Sequence, residues 1–174
     1  GGFTVGVLVQ TNFGGSLMIN GAPVGRELKK SPFSSSIPYD EDEGSCMTVI
    51  ATDAPLSNRN LKRMAKRVDH AFGRVGAYSS NGSGDYAIIF STSKPQSSDK
   101  KSFTRKEIKN NSMNGLFMAT VEATEEAIIN SLFMAETVSS KYGKMEELPI
   151  DETMKILKKY RALNWNKKLY PWKK

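Results

Sequence analysis

A chain of 174 residues with 39% hydrophobic residues has the length and apolar content of one packed domain, which excludes a disordered or fibrous class. Its formal net charge of +7 invites a polyanionic partner, but the cations are spread among acids over the helix after residue 57, the 94–110 segment and the C-terminal tail. No nucleic-acid motif accompanies them, so a solvated basic surface is expected and a nucleic-acid partner is not. No run nears the roughly 18 apolar residues that cross a bilayer, and a lone Cys46 with a lone His70 allows neither an internal disulfide nor a metal cluster. The expectation is a cytoplasmic protein with no membrane contact, no metal and no cofactor.

Residues 3–12 (FTVGVLVQTN) alternate Phe3, Val5, Val7 and Val9 before presenting Gln10, Thr11 and Asn12, which predicts a strand whose last residues emerge at an edge. A turn at Phe13–Gly15, a short strand at Leu17–Ile19 and a turn at Asn20-Gly21 follow. The start is abrupt, almost inside a strand, so a longer parent protein is expected. Residues 31–44 (SPFSSSIPYDEDEG) have the composition of an exposed connector. Cys46 to Ala51 then read as a strand buried on both faces, ended by Thr52, Asp53 and Pro55.

Leu61, Met64, Ala65, Val68 and Phe72 predict one amphipathic helix with Ser57 as N-cap and Gly73 as stop. Its polar face (Arg59, Lys62, Arg63, Lys66, Arg67) reads as solvated, with His70 an ordinary surface residue. The glycine- and serine-rich segment 73–84 lacks the spacing of a phosphate-binding loop and runs into a strand, Tyr86 to Thr92, so a turn is expected. A basic surface loop at 95–111, a helix from Asn114 to about Lys141 and a last helix capped by Asp151 complete the pattern. The tail sets Trp165, Tyr170 and Trp172 among lysines, a composition that suits docking on the same or a neighbouring subunit, or stacking on bases.

Ser45 follows Gly44 where an acidic connector meets an apolar strand, and two readings of it stand. It opens a strand after a loop, or the chain breaks before it and leaves it as a new N-terminus. A serine hydroxyl needs a base, and a free α-amine, with a pKa of about 7.7–8.0, serves near neutral pH, so one residue would carry both groups. The same hydroxyl would make the break by attacking the Gly44 carbonyl, where glycine lets the backbone twist at little steric cost. Ser83 and Asp85, two apart on an extended segment, point to one side and suit either a shared site or a hydrogen-bonded turn.

The stretches FTVGVLVQTNFG, GSCMTVIATDAPLSNRNLKRMAKR, SGDYAIIFST and NGLFMATVEATEEAIINSLFMAETV resemble, in order, blocks of the DmpA family of N-terminal-nucleophile aminopeptidases, the L-aminopeptidase/D-esterase and β-peptidyl aminopeptidase group. The resemblance implies an α+β fold, an αββα sandwich related to that of the ornithine acetyltransferases, of which this chain is the C-terminal half. It implies cleavage between Gly44 and Ser45, with 1–44 ending an α-subunit and 45–174 forming a β-subunit of the same domain. By that likeness Ser45 is the nucleophile and Asn12 the oxyanion-holding amide. Ser83 and Asp85 match the serine and carboxylate beside the nucleophile and the substrate's amino group, with Asp85 where β-peptidyl members carry glutamate.

The implied activity is hydrolysis of N-terminal residues from short peptides, amides or esters, with Asp85 holding the substrate's ammonium group and Ser83 supporting the nucleophile. The implied partners are a missing N-terminal segment or companion chain and further copies in a homo-oligomer. An acyltransferase of the ornithine acetyltransferase type and a non-enzymatic basic binding module are the alternatives.

Overall fold

The computed structural model describes residues 2–31, 44–94, 97–98, 101–104, 106–141 and 143–163. The acidic connector, apart from Ser31 and Gly44, and the aromatic tail lie outside the described residues. Three eight-residue strands form the central sheet: β1 (Val5–Asn12), β2 (Ser45–Thr52) and β3 (Gly84–Ser91), in the order β1-β2-β3. The β1–β2 pair is antiparallel and the β2–β3 pair parallel. The parallel connection is made by two helices, α2 (Asn58–Ala65) and α3 (Val68–Arg74).

Alternation along the strands decides what each face does. Val5, Val7, Val9 and Thr11 of β1 and Cys46, Thr48, Ile50 and Thr52 of β2 turn toward the helices. Cys46 and Ile50 pack with Val68, Phe72 and Val75 from α3 and its exit, and with Ile128 of α4 (Asn114–Met134). Thr120 and Thr124, buried on α4, return their hydroxyls to the carbonyls of Leu116 and Thr120 at 2.7 Å each, which satisfies them without a partner outside the helix. A second cluster joins Ile19, Ala22 and Val24 of α1 (Val24–Glu27) and its approach to Ile156 and Leu157 of α5 (Ile150–Lys159).

The opposite face of the sheet is bare among the described residues. Leu8, Tyr86 and Ile88 are 71%, 65% and 56% exposed, and Met47 and Phe90 are also open. The expectation that β2 is buried on both faces is therefore corrected: helices cover one side only, so its apolar run alternates between a sealed face and an open one. Exposed apolar residues this close together on one sheet face form a larger patch than the singly scattered ones of an ordinary surface.

The predicted single helix after Ser57 is two. Arg67 N–H bonds Met64 O at 2.8 Å and His70 N–H bonds Arg67 O at 3.1 Å, tight three-residue closures that turn the chain between α2 and α3. Ser57 holds the N-cap position, but its hydroxyl bonds Glu107 rather than the helix backbone. The basic face is only partly solvated, because the Arg63 and Arg67 guanidiniums lie 4.8 and 4.0 Å from the centre of the Phe117 ring. His70 is exposed, as the pattern implies.

Leu17–Ile19 forms one isolated bridge, Ile19 to Ala22, not a strand. The 97–104 region contributes a short pair, β4 (Ser97–Ser98) and β5 (Phe103–Thr104). Helix α4 stops at Met134, short of the predicted Lys141, because Ala135 turns extended and a hairpin follows, β6 (Val138–Ser140) with β7 (Gly143–Met145). Thr137 and Glu147 close that hairpin by exchanging backbone-to-side-chain bonds of 3.0 and 3.2 Å. Asp151 lies in the first turn of α5, one residue inside its start.

Candidate active site

The two chain segments singled out by sequence meet in register. Asn12, the last residue of β1, is the Cα partner of Ser45, the first of β2, and Ser45 is in turn the partner of Gly84, the first of β3. Residues level with one another in a sheet project to the same side, so Asn12 and Ser45 share the open face, and both are exposed. Asn12 makes no side-chain hydrogen bond among the described residues, which leaves its amide free to donate.

The peptide bond before Ser45 is held in a particular environment. The Ser45 hydroxyl donates to Gly44 O at 2.7 Å, and Gly84 N–H donates to the same oxygen at 3.0 Å. Two donors on one carbonyl oxygen draw electron density from the Gly44 carbon. Gly44 is buried, and a Cβ there would meet Phe13 Cβ at 3.2 Å and Phe13 Cα at 3.3 Å. Its φ lies outside the left-handed region, so glycine is needed here for space against Phe13 and not for an unusual backbone angle. A Cβ on Gly84 would stand 3.3 Å from Ser45 Oγ, so this glycine keeps the hydroxyl's surroundings open.

Ser83 and Asp85 form the hydrogen-bonded pair allowed by their spacing, with Ser83 Oγ donating to Asp85 Oδ2 at 2.9 Å. Asp85 is level with Cys46, one step along from the Ser45–Gly84 pair, so its carboxylate projects to the helix side of the pleat. The Cys46 thiol registers that placement. Burial pushes its pKa up, a hydrogen bond with Thr48 lowers it, and the Asp85 charge raises it again. Among the described residues Ser45 Oγ has no hydrogen bond to either member of the pair; Gly84, between them, makes the link through its N–H. A void lined by Phe13, Gly14, Ser79, Ser80, Ser83 and Asp85 adjoins the pair.

The sequence thus marks Asn12, Gly44, Ser45, Ser83 and Asp85, and the fold brings all five to the same end of the sheet. Sequence reasoning misses Gly84 and Phe13. Gly84 carries a signal, a glycine between two polar candidates at a strand start, whereas Phe13 looks like an ordinary turn residue. Among the described residues no group of three or more His, Cys, Asp or Glu side chains is arranged to hold a metal ion, and no helix is long and apolar enough to cross a membrane.

The fold is shared with solved structures. The L-aminopeptidase D-Ala-esterase/amidase of Ochrobactrum anthropi, described as a variant of the Ntn hydrolase fold, superposes with a TM-score of 0.72 at 24% identity, over 91% of this chain and 48% of that one. The class is therefore the Ntn hydrolase fold. Residues 1–146 match peptidase family S58, and the chain belongs to that family, the DmpA family. It is 40% identical over 176 residues to the β-peptidyl aminopeptidase BapA of Sphingosinicella microcystinivorans, an alignment covering 92% of this chain and 44% of that protein. The PH0078 protein of Pyrococcus horikoshii OT3 superposes with a TM-score of 0.79 at 41% identity, over 92% of this chain and 44% of that one. The chain thus spans less than half the length of the relatives it matches.

Proposed function

We propose that the complete protein is a self-cleaving serine aminopeptidase that removes N-terminal residues from short peptides, amides or esters. The observation that carries this reading is the doubly bonded Gly44 carbonyl beside Ser45, with the free amide of Asn12 level with it. Membership of a family whose named relatives are aminopeptidases supports it.

In the first event Ser45 Oγ attacks the Gly44 carbonyl carbon. The Gly44–Ser45 C–N bond breaks, the hydroxyl proton passes to the departing nitrogen, and water then hydrolyses the resulting ester. The products are a Gly44 carboxylate and a Ser45 with a free α-amine. That amine takes the hydroxyl proton in each later turnover, Ser45 attacks the substrate's amide carbonyl, and Asn12 donates to the oxygen as charge develops on it. Asp85 orients the Ser83 hydroxyl beside the nucleophile, and its remaining oxygen is assigned to the substrate's ammonium group. The substrate's C–N bond then breaks, and the Ser45 ammonium gives its proton to the departing amine. Water, passing a proton through the same α-amine to Ser45 Oγ, hydrolyses the acyl-enzyme ester to the free acid and restores the hydroxyl.

The partner of the bare sheet face, on this reading, is the remainder of the polypeptide or a companion chain. Leu8, Met47, Tyr86, Ile88 and Phe90 offer it an apolar bed, and the relatives are more than twice as long as the stretch they share with this chain. Further copies then assemble into a homo-oligomer.

The test is the intact mass and N-terminal sequence of the full-length protein and its Ser45→Ala variant after incubation near neutral pH, with hydrolysis of aminoacyl p-nitroanilides measured alongside. A fragment beginning Ser-Cys-Met and amide hydrolysis are expected from the unmutated protein only. Hydrolysis at an unchanged rate by Ser45→Ala would sink the reading.

A further inference from the structure

A cavity of about 350 Å³ opens where the end of β1 meets the C-terminal part of α4. Its walls are chiefly apolar: Phe13, Leu17, Val75, Ala77, Ile128 and Leu132. The polar groups at its base are already satisfied. Thr11 Oγ1 and Ser131 Oγ lie 3.0 Å apart and share a hydrogen bond, and Ser131 Oγ lies 2.7 Å from Ile128 O. At the rim, Glu146 is held by Lys30 and Lys144 at 3.3 Å each. Besides the Asn12 amide and the exposed Glu136 carboxylate, which also line it, an occupant meets mainly apolar surface, in a volume near the lower end of small-molecule pockets, which run from about 300 to 1,000 Å³.

One residue ties this cavity to the proposed site. Asn12 borders it and is level with Ser45 at the end of the strand; the two side chains face the open side and the cavity the helix side, so a ligand that uses both has to cross that strand end. The wall is also firmly built. Ser16 N–H bonds Gly76 O at 3.1 Å and Met18 N–H bonds Val75 O at 3.0 Å. Gly76 has φ +87°, and a Cβ on it would fall 1.9 Å from Ser16 O, so the two segments approach as closely as backbones allow. The cavity lies on the helix side, where Thr11 points, away from the bare face.

We propose that this cavity receives the side chain of the substrate's first residue, and that the protein prefers peptides and amides whose first residue bears a branched aliphatic or phenyl group. This rests on the aminopeptidase reading above. Burying such a group against Phe13, Leu132 and Ile128 gives a gain that a methyl side chain does not obtain.

The test compares phenylalanine and alanine p-nitroanilides on the full-length, self-cleaved protein and on Leu132→Trp, which narrows the cavity from its half-buried rim, with Leu132→Ala as the variant that widens it. The unmutated protein is expected to favour the phenylalanyl substrate at least tenfold in kcat/KM. Leu132→Trp should lower that ratio at least tenfold, mainly through KM, while Leu132→Ala keeps a preference for the larger group. Equal ratios in all three proteins, or a preference for alanine in the unmutated one, overturn the proposal, and the first of these is the result expected if another segment fills the cavity. If neither amide is hydrolysed the aminopeptidase reading fails by itself. Calorimetric binding of phenylalanine amide against alanine amide then decides the cavity: tighter phenylalanine amide binding that Leu132→Trp abolishes upholds it, and equal binding overturns it.

Discussion

Asn12 stands directly across the antiparallel β1–β2 pair from Ser45, the end of one strand level with the beginning of the next. Backbones paired this way sit about 4.5–5.5 Å apart at Cα, within reach of a side-chain amide acting on a carbonyl oxygen bound at its neighbour. Strand pairing thus sets the positions of donor and hydroxyl, and a rigid sheet fixes them more closely than loops would.

On the proposed mechanism, replacing Asn12 by alanine should cost the self-cleaved protein about 10²–10³ in kcat, the usual loss when one oxyanion donor is removed, with a much smaller change in KM. Asn12 is exposed, so the thermal midpoint should stay close to that of the unmutated protein. Steady-state kinetics with one aminoacyl amide, beside a melting curve, check both halves. A pure KM effect would move Asn12 from the transition state to substrate binding.

Gly84→Ala brings a methyl group to 3.3 Å from Ser45 Oγ and 3.5 Å from the Tyr86 ring. The hydroxyl has to give by a few tenths of an ångström, which disturbs its bond to Gly44 O, so on the proposed mechanism conversion of precursor to fragments should slow severalfold or more while the fold persists. Gel densitometry of the uncut chain over time, with circular dichroism as the control, reads this directly. Cleavage at the unmutated rate would show that crowding at this position does not matter.

Cys46 adjoins Ser45 in sequence yet should be chemically silent. It is fully buried, and burial holds its thiol above the ordinary pKa, so little reactive thiolate is present near pH 8. Iodoacetamide should leave the peptide containing Cys46 unmodified in the folded protein and alkylate it after denaturation, as peptide mass mapping would show. Rapid labelling of the native protein would contradict the packing of β2 against α3.

Glu125 gives a pH dependence of stability. Burial raises its pKa, Arg74 at 2.9 Å pulls it down, and Glu122 raises it again, with a net upward shift. A carboxyl whose folded pKa is raised binds its proton more tightly in the native state, so its contribution to stability falls as pH rises from the ordinary glutamate range through the folded value. Glu125→Gln removes that slope. The melting temperature of the variant relative to the unmutated protein should therefore climb between about pH 4 and pH 7. A flat difference across that range would mean that the Arg74 pair offsets the burial in full.

The local chemistry of the chain is legible in its residues alone. Alternating β-branched residues mark β1, the apolar run after Ser45 marks β2, and helical spacing marks α2, α3 and most of α4. Asn12, Gly44, Ser45, Ser83 and Asp85 stand out as polar or small residues at strand ends, where a backbone emerges from a sheet. These signals act over a few residues, so a linear reading captures them. The break between α2 and α3 escapes it because the apolar stripe runs unbroken through Lys66 and Arg67, and only the tight backbone closures there show the turn.

Residue order alone therefore specifies the three long strands, most of the helices and a short set of candidate residues, since propensity and periodicity are local properties. Tertiary packing was needed to establish that Asn12, Ser45 and Gly84 are level, that Asp85 turns to the side of Cys46, that Gly84 N–H reaches Gly44 O, and that one face of the sheet is bare among the described residues. Those relations depend on register between strands distant in sequence. A slip of one residue would send every side chain to the opposite face, and hydrogen bonding and packing across the whole sheet exclude it.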